Sequence, residues 1–425
     1  MNHRNRLEEL FGCWHSVPLY IRILAGVFFG VVVGVLVGDD ASVFEIPSKL
    51  VLRLLGALAS PLIMLAVVQA LMHAQIPRGS GFRLVGLLVL NTLVAIFIGL
   101  LVANVVQPGG WTEPPVSGPE KNAPKTSSSV VGQFLDNIPK SVLGPFGDDG
   151  KVLSVILLAV AFGIALRSVK SVSITTVSDV VDVSCRVLIT ILHWIIEIIP
   201  LAVFGIVSSI VGRGGFAGFQ GLAVFVFAVL LALFLQVIYY LVRIRFGSWV
   251  SPRDVMRHMR DALVMAFSTA SSTVTMPLTY TCLRERMGLR EQSASLGALV
   301  GANFNNDGTA LYEAMAALFI SQMIGIKLSL LSQLLVVLTS VAASVGAAGI
   351  PEAGIVTMTL VFNAVGLPLN YIPILLTVDW FLDRCRTVVN VMGDVNVSCL
   401  LDGMVREDQP VSGIYRETKH ATTGD

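Results

Sequence analysis

Long uncharged apolar runs dominate the chain and alternate with short polar segments. The runs lie at about 18–38, 49–73, 84–107, 152–169, 187–211 and 217–242. Each is long enough to cross about 30 Å of hydrocarbon as a helix. The pattern therefore predicts a membrane protein with many spanning helices.

Arginine-rich loops are predicted between alternate pairs of these runs. Their basic residues are Arg78, Arg83, Arg167, Lys170, Arg243, Arg245, Arg253, Arg257 and Arg260. Cytoplasmic loops carry an excess of Lys and Arg. The arginines thus predict that these loops and both termini are cytoplasmic, and that the segment 108–149 lies on the opposite side.

The C-terminal third has a different pattern, because small and polar residues interrupt its apolar segments. Irregular backbone at membrane depth is tolerated only where it is buried in protein or lines a cavity. We therefore predict re-entrant hairpins at 255–283 and 328–366, with Pro277 and Pro351 near their tips. A span carrying Asn and Asp follows each hairpin, as expected for inverted repeats.

Composition supports a membrane location. Hydrophobic residues make up 54% of the 425 positions and charged residues 13%, against roughly 25% charged residues in soluble domains. This excludes a soluble enzyme or a disordered chain. The net charge of +1 indicates no nucleic-acid partner. The predicted fold class is all-α, polytopic and membrane-embedded.

The last apolar segment carries charges of both signs. Asp383, Arg386, Thr387, Asn390 and Asp394 follow one another at intervals of 3, 1, 3 and 4 residues, which places them on one helical face. A charge within a span costs roughly 2.5–3.5 kcal/mol. One interpretation is a salt bridge that holds helices together. The other is a zwitterion clamp, in which Arg386 binds a carboxylate and Asp383 an ammonium group.

The sequence Asn305-Asn306-Asp307-Gly308 predicts a helix break inside an apolar span. A break frees backbone carbonyls, which with the Asn305 and Asp307 oxygens suit a small hard cation. The alternative is a kink satisfied by neighbours or water. Glu313 follows in an uncharged stretch, where it is either a proton carrier or a residue facing a polar seam.

Hydroxyl residues precede Pro277, among them Ser271 and Ser272. Hydroxyls and free N–H groups at a half-helix N-terminus suit an anionic group of a substrate. Serine and threonine also let helices pack closely, so this signal alone is ambiguous.

Four motifs in order resemble the dicarboxylate/amino acid:cation symporter family, the glutamate transporters and their prokaryotic relatives. They are the hairpin tip Ser271 to Pro277, the signature Asn305 to Thr309, the second tip Ala348 to Gly354, and the final helix Asp379 to Asp394. The resemblance extends over nearly the whole chain.

The resemblance implies eight transmembrane helices and two re-entrant hairpins, arranged as inverted repeats in a homotrimer. The implied divisions are a cytoplasmic N-terminus (1–17), scaffold helices 1 and 2 (18–73), transport-domain helix 3 (84–107), an extracellular or periplasmic loop (108–149), scaffold helices 4 and 5 (150–212), the rest of the transport domain (217–400) and a cytoplasmic tail (401–425). It also implies a plasma membrane, with a bacterial inner membrane as the expected one.

The resemblance also assigns roles to individual residues. Substrate contacts fall on Ser271, Ser272, Thr309, Ile350, Gly354, Asp383, Arg386, Thr387 and Asn390. A first sodium site falls on Gly301, Asn305, Asn390 and Asp394, a second on backbone oxygens near Asn303, Ser344, Val345 and Ala347, and a third on Asn91, Thr92, Asn305 and Asp307.

Some positions depart from the family pattern. Asn306 replaces the signature methionine, and Asn91 stands where a hydroxyl residue is usual. Arg384 matches the animal glutamate transporters and would modulate the pocket. Glu313 matches their proposed proton carrier. Glu352 adds a carboxylate near the pocket, with no role assigned.

These residues predict a symporter of L-glutamate or L-aspartate, with Na⁺, H⁺ or both as coupling ions and no other cofactor. The alternatives are a C4-dicarboxylate or neutral amino acid symporter of the same family, and an ion channel. An intramembrane enzyme using Ser271 or Ser272 with His193 is disfavoured, since no general base stands in a recognisable pattern with these serines.

Overall fold

The computed structural model describes residues 17–73, 81–111, 175–214, 217–346 and 353–405, together with 142, 144, 162 and 165. Within these ranges the chain is helical apart from short connections, and no strand occurs there. The predicted all-α class is therefore confirmed at this level. The segment 112–149 apart from residues 142 and 144, most of 150–174, the second hairpin tip and the tail beyond 405 lie outside the described residues.

Five long helices make up the first half of the described chain. They are α1 (Leu19–Val37), α2 (Ile46–His73), α3 (Gly81–Val106), α4 (Val177–Gly214) and α5 (Ala217–Gly247), with 3₁₀ turns at Gly38–Glu45 and Pro108–Trp111. Among the residues that the structure describes, four stretches are long and apolar enough to cross a membrane: Leu19–Leu58, Gly81–Trp111, Val177–Arg213 and Gln220–Gly247. They coincide with predicted spans.

Helix α5 is longer than the apolar run predicted, and this corrects the placement of Arg243. We predicted Arg243 and Arg245 in a cytoplasmic loop, but both lie inside α5. The guanidinium of Arg243 is half-buried and has polar partners on neighbouring helices. An arginine with such partners can remain in a helix at a depth where an isolated charge would be costly.

The region predicted as the first hairpin contains three short helices, α6 (Pro252–His258), α7 (Arg260–Thr269) and α8 (Ser272–Thr281). Helices α7 and α8 pack against each other. The break between them is at Ala270 and Ser271 rather than at Pro277, which lies inside α8. Ala270 has φ of 51°, and the Ser271 hydroxyl accepts a hydrogen bond from the Val274 N–H at 3.2 Å. This N-cap starts α8.

The next helical stretch is interrupted once more. Helix α9 (Glu291–Ser295), a π-helical turn (Leu296–Val300) and α10 (Gly301–Phe304) lead to α11 (Asp307–Met323). Asn305 and Asn306 lie between α10 and α11 with non-helical backbone angles. The helix break predicted here is confirmed.

The chain continues through α12 (Leu330–Gly346), α13 (Ala353–Ala364) and α14 (Ile372–Asp402). Helices α12 and α13 pack against each other, as the predicted second hairpin requires, while the connection between them is outside the described residues. Helix α14 is buried along most of its length and contacts α5, α7 and α11. Its polar face is thereby directed into the protein.

Helices α1 and α4 approach each other closely along a row of glycines. Cβ atoms at Gly26, Gly30 and Gly34 would lie within 2.6 to 2.9 Å of carbonyl oxygens of α4. Spacing of small residues by four lets two helix backbones pack directly. Helices α1 and α2 thus both pack against α4, while α3 and α5 pack with α11 and α14.

Candidate functional site

The Asn305–Asn306 break faces the polar stretch of α14. The Asn305 side-chain amide donates to the Asn390 carbonyl oxygen and to Asp394 Oδ1, both at 3.2 Å. The Gly308 N–H donates to Asn390 Oδ1 at 2.8 Å. Two helices that are far apart in sequence therefore meet at one buried polar cluster.

This cluster contains all four residues predicted for the first sodium site. The Asp394 carboxylate is 1% exposed, and a Cβ at Gly301 would lie only 2.6 Å from its Oδ1. The buried Asn305 Oδ1 accepts no hydrogen bond from any described residue. A buried oxygen without a donor is costly and is available to a cation.

Arg386 is the largest side chain that is wholly buried in the described structure. Its guanidinium lies 2.9 Å from an oxygen of Asp379 and donates to Asp383 Oδ1 at 2.7 Å. Its Cζ is 4.1 Å from the ring centre of Tyr312, and a Cβ at Gly354 would lie 3.0 Å from its terminal nitrogens. The arginine, its carboxylates and an aromatic platform thus form one charged pocket.

The other predicted substrate contacts lie around these two groups. The Asn390 amide donates to Asn306 Oδ1 at 3.3 Å and to the Thr309 hydroxyl at 3.5 Å, and the Thr387 hydroxyl donates to the Asp383 carbonyl. The Ser272 hydroxyl donates to the Ala302 carbonyl at 3.4 Å. Ser271 is engaged as the N-cap of α8. Ile350 lies outside the described residues.

Arg384 points away from the Arg386 side of α14. Its guanidinium donates to the carbonyls of Phe267 and Ser268 at 3.0 and 2.6 Å, close to the end of α7, and its Cζ is 5.7 Å from the ring centre of Tyr20. A cation at a helix C-terminus is favourable. The structure thus gives Arg384 a place at the first hairpin, while Glu352 lies outside the described residues.

The second predicted sodium site is described only in part. Asn306 donates its amide to the Ser344 carbonyl at 2.8 Å, linking α12 to the helix break. The Asn303 amide donates to the Leu299 carbonyl in the preceding π-helical turn at 3.0 Å. Val345 lies in the last turn of α12, and Ala347 is outside the described residues.

The third predicted sodium site brings Asn91, Thr92 and Asp307 together. The Thr92 hydroxyl donates to Asp307 Oδ1 at 2.7 Å, and the Tyr240 hydroxyl donates to Oδ2. Asn91 Oδ1 accepts from the guanidinium of Arg243. Unlike the Asn305–Asp394 cluster, this group contains a permanent cation from the protein itself.

Glu313 is buried in the middle of α11. Its carboxylate accepts a hydrogen bond from the Thr357 hydroxyl of α13, and Ser340 of α12 is close to it. The carboxyl group is therefore enclosed between α11 and the two helices of the predicted second hairpin. An ionisable side chain buried in this way is a candidate functional residue.

Comparisons with known proteins identify the family of this chain. A profile described as the sodium:dicarboxylate symporter family matches residues 19–404. This chain belongs to that family. The match confirms the resemblance drawn from the four motifs. The protein is therefore a transporter of the membrane and not an enzyme, and its family is one of sodium-coupled symporters.

Relatives of this symporter carry two kinds of name. A C4-dicarboxylate transport protein of Azorhizobium caulinodans is 30% identical over 387 residues, covering 88% of this chain and 86% of the relative. One of Rhodospirillum rubrum is 31% identical over 389 residues, with the same coverage. Excitatory amino acid transporter 4 of Mus musculus is 30% identical over 430 residues, covering 83% of this chain and 76% of the relative.

Several residues of the symporter site were not predicted. Tyr240 and Arg243 of α5 contact Asp307 and Asn91, Tyr312 lies beneath Arg386, and Thr357 binds Glu313. One signal was available: Gln236, Tyr240 and Arg243 are spaced by four and three, which is one polar helical face. The other two contacts depend on which helices are neighbours.

Proposed function

We propose that the protein is a secondary active symporter that takes up L-glutamate or L-aspartate with Na⁺, H⁺ or both by alternating access. The observation that carries the proposal is the pairing of buried Arg386 with Asp383 beside Gly354. An acidic amino acid offers an ammonium group to Asp383 and a side-chain carboxylate to the fork of Arg386.

The alternative of a purely structural salt bridge is weakened by the geometry. Asp379, Asp383 and Arg386 all belong to α14, so their ion pairs join no two helices. A guanidinium that is buried among its own helix's carboxylates can exchange one of them for the carboxylate of a ligand. We infer that Ser272, Thr309, Thr387 and Asn390 orient the bound substrate, and that the predicted contacts Ile350 and Gly354 also belong to its binding site.

For the architecture, we propose eight spanning helices and two re-entrant hairpins in a homotrimer, as the family resemblance implies. Helices α1, α2 and α4 would belong to the scaffold; α3, α5 and everything from α6 to α14 would move as the transport domain. The packing of α1 on α4, and of α3 and α5 on α11 and α14, supports this division. Both termini would face the cytoplasm of a bacterial inner membrane.

We propose that sodium binds at the Asn305–Asp394 cluster, which includes Gly301 and Asn390. The vacant lone pairs of Asn305 Oδ1 and the buried Asp394 carboxylate are hard oxygen ligands of the kind that alkali and alkaline-earth cations take. Asn305 also donates to the Asn390 carbonyl of α14, and Asp394 lies one turn after Asn390 on the same helix. Ion binding there would order the face of α14 that holds the substrate.

A C4-dicarboxylate symporter is the second candidate, because two relatives at about 30% identity carry that name. The two candidates differ in one group: a C4-dicarboxylate has no ammonium for Asp383. Asp383→Asn should therefore reduce aspartate uptake at least tenfold in proteoliposomes and leave succinate uptake, if the wild type has it, less affected. If the wild type takes up succinate but not aspartate, the C4-dicarboxylate symporter is the correct candidate.

A separate measurement distinguishes a carrier from a channel. Proteoliposomes loaded with unlabelled substrate should accumulate labelled substrate transiently above equilibrium, because a carrier exchanges the two through one site. Passive equilibration alone would contradict the symport mechanism, whichever substrate is used.

We further propose that Glu313 carries a proton when the coupling includes H⁺. Glu313→Gln should flatten the pH dependence of uptake between about pH 5 and 8, since a carboxamide binds no proton in this range. The measurement is initial uptake at fixed sodium over that interval. Glu291→Gln, which removes an exposed carboxylate paired with Arg284, is the matched control and should keep the wild-type profile. If uptake by Glu313→Gln keeps the pH dependence of the wild type, Glu313 does not carry the proton.

A further inference from the structure

The third sodium site implied by the family resemblance does not fit the side chains around Asn91. That site would need oxygen atoms of Asn91, Thr92, Asn305 and Asp307. Asn91 Oδ1 instead accepts a hydrogen bond from the guanidinium of Arg243. An arginine is always charged in proteins, so the amide oxygen already faces a positive charge that would repel a metal cation.

The Asp307 carboxylate is satisfied in the same way. Thr92 donates to one of its oxygens at 2.7 Å and Tyr240 to the other. Arg243 is also close enough to attract this carboxylate electrostatically. The charge that would hold a cation here is therefore balanced by a residue of the chain.

Arg243 is held in place from several sides. Its Nη1 lies 3.4 Å from Asn396 Oδ1, and its Cζ is 5.4 Å from the ring centre of Tyr239. Asn396 in turn donates its amide to the Tyr240 carbonyl at 3.1 Å. These contacts tie α5 to α3 and α14 around one guanidinium.

The Asn305–Asp394 cluster provides the contrast. There the Asn305 Oδ1 is buried with no donor from any described residue, and no described salt bridge reaches Asp394. The Asn305–Asp394 cluster has an open oxygen beside a carboxylate, whereas Asn91 Oδ1 and both oxygens of Asp307 already accept hydrogen bonds from the chain.

We propose that Arg243 is a built-in cation that replaces a sodium ion at the Asn91–Thr92–Asp307 cluster. The transporter then couples substrate to at least one sodium ion fewer than the three predicted sites would allow. This inference rests on the proposed symport function and concerns its stoichiometry.

The test is flux reversal in proteoliposomes that contain the full chain. Substrate flux is measured at a fixed substrate gradient and clamped voltage while the sodium gradient is varied, and the gradient at which flux changes sign gives the sodium ions moved per substrate. The wild type should move two or fewer sodium ions per substrate. Arg243→Met removes the charge and the hydrogen-bond donor, and it should move one sodium ion more per substrate than the wild type. Arg243→Lys keeps a positive charge and should move the same number of sodium ions as the wild type.

A wild type that moves three sodium ions per substrate would overturn the inference, even if the methionine variant did not fold. An active Arg243→Met variant with the wild-type count would also overturn it. If the wild type transports without any sodium, the sodium coupling proposed above fails separately. In that case the inference still requires transport by Arg243→Met to depend on sodium. Sodium-independent transport by this variant would overturn the inference.

Discussion

Replacing Arg386 with alanine is expected to reduce kcat/KM for aspartate uptake at least about a hundredfold. The guanidinium is wholly buried against Asp379, Asp383 and Tyr312. Truncating one partner of a buried, hydrogen-bonded charge pair at a binding interface costs about 2–5 kcal/mol of binding free energy, and each 1.4 kcal/mol is a factor of about ten. The loss follows because a substrate carboxylate would enter a pocket with two unpaired carboxylates.

The measurement is initial uptake of labelled aspartate by proteoliposomes at saturating sodium. Arg386→Lys keeps the charge but not the planar fork, and we expect it to fall between the wild type and the alanine variant. Arg284→Ala removes a partly exposed arginine paired with Glu291 and serves as the control with near wild-type uptake. Unchanged aspartate uptake by Arg386→Ala would refute the binding of acidic substrates at this pocket.

Replacing Asp394 with asparagine is expected to raise the half-saturating sodium concentration for transport on the order of tenfold to a hundredfold. Cation affinity follows the number of charged ligands, and Asp394 is the carboxylate of the Asn305–Asp394 cluster. Substrate affinity at saturating sodium should change less, because Arg386 and Asp383 remain.

Asp402 provides a matched control at the end of the same helix. It is also buried, but it is paired with Arg290 at 3.0 Å and accepts from the Trp249 indole at 2.7 Å. Asp402→Asn should lower thermal stability without shifting the sodium titration. An equal shift in both variants would mean that Asp394 acts through stability and not as an ion ligand.

The sequence predicted the long helices and the break at Asn305 because both depend on local pattern. Apolar runs set the spans, and an Asn-Asp-Gly sequence inside one interrupts it. The break of the first hairpin lies at the beginning of the predicted tip Ser271 to Pro277 and not at Pro277, which is the conspicuous local signal. The left-handed Ala270 and the N-cap at Ser271 determine the break instead.

The site was predictable where its members share one helix. Asp383, Arg386 and Asn390 could be assigned to a common face by spacing alone. The placement of Arg243 could not, because a charge near the end of an apolar run indicates a loop unless its partners are known. Asn91 and Asn396, which keep it within the protein, are about 150 residues away in either direction.

The glycine row on α1 has a consequence for how this protein can diverge in sequence. No larger residue fits at Gly26, Gly30 or Gly34, because its side chain would clash with the backbone of α4. The outward positions Phe28 and Leu36 are 64% and 78% exposed in the protomer. Substitutions that adapt the transporter to bilayers of different thickness should therefore accumulate on that outer face, without disturbing the packing of α1 on α4.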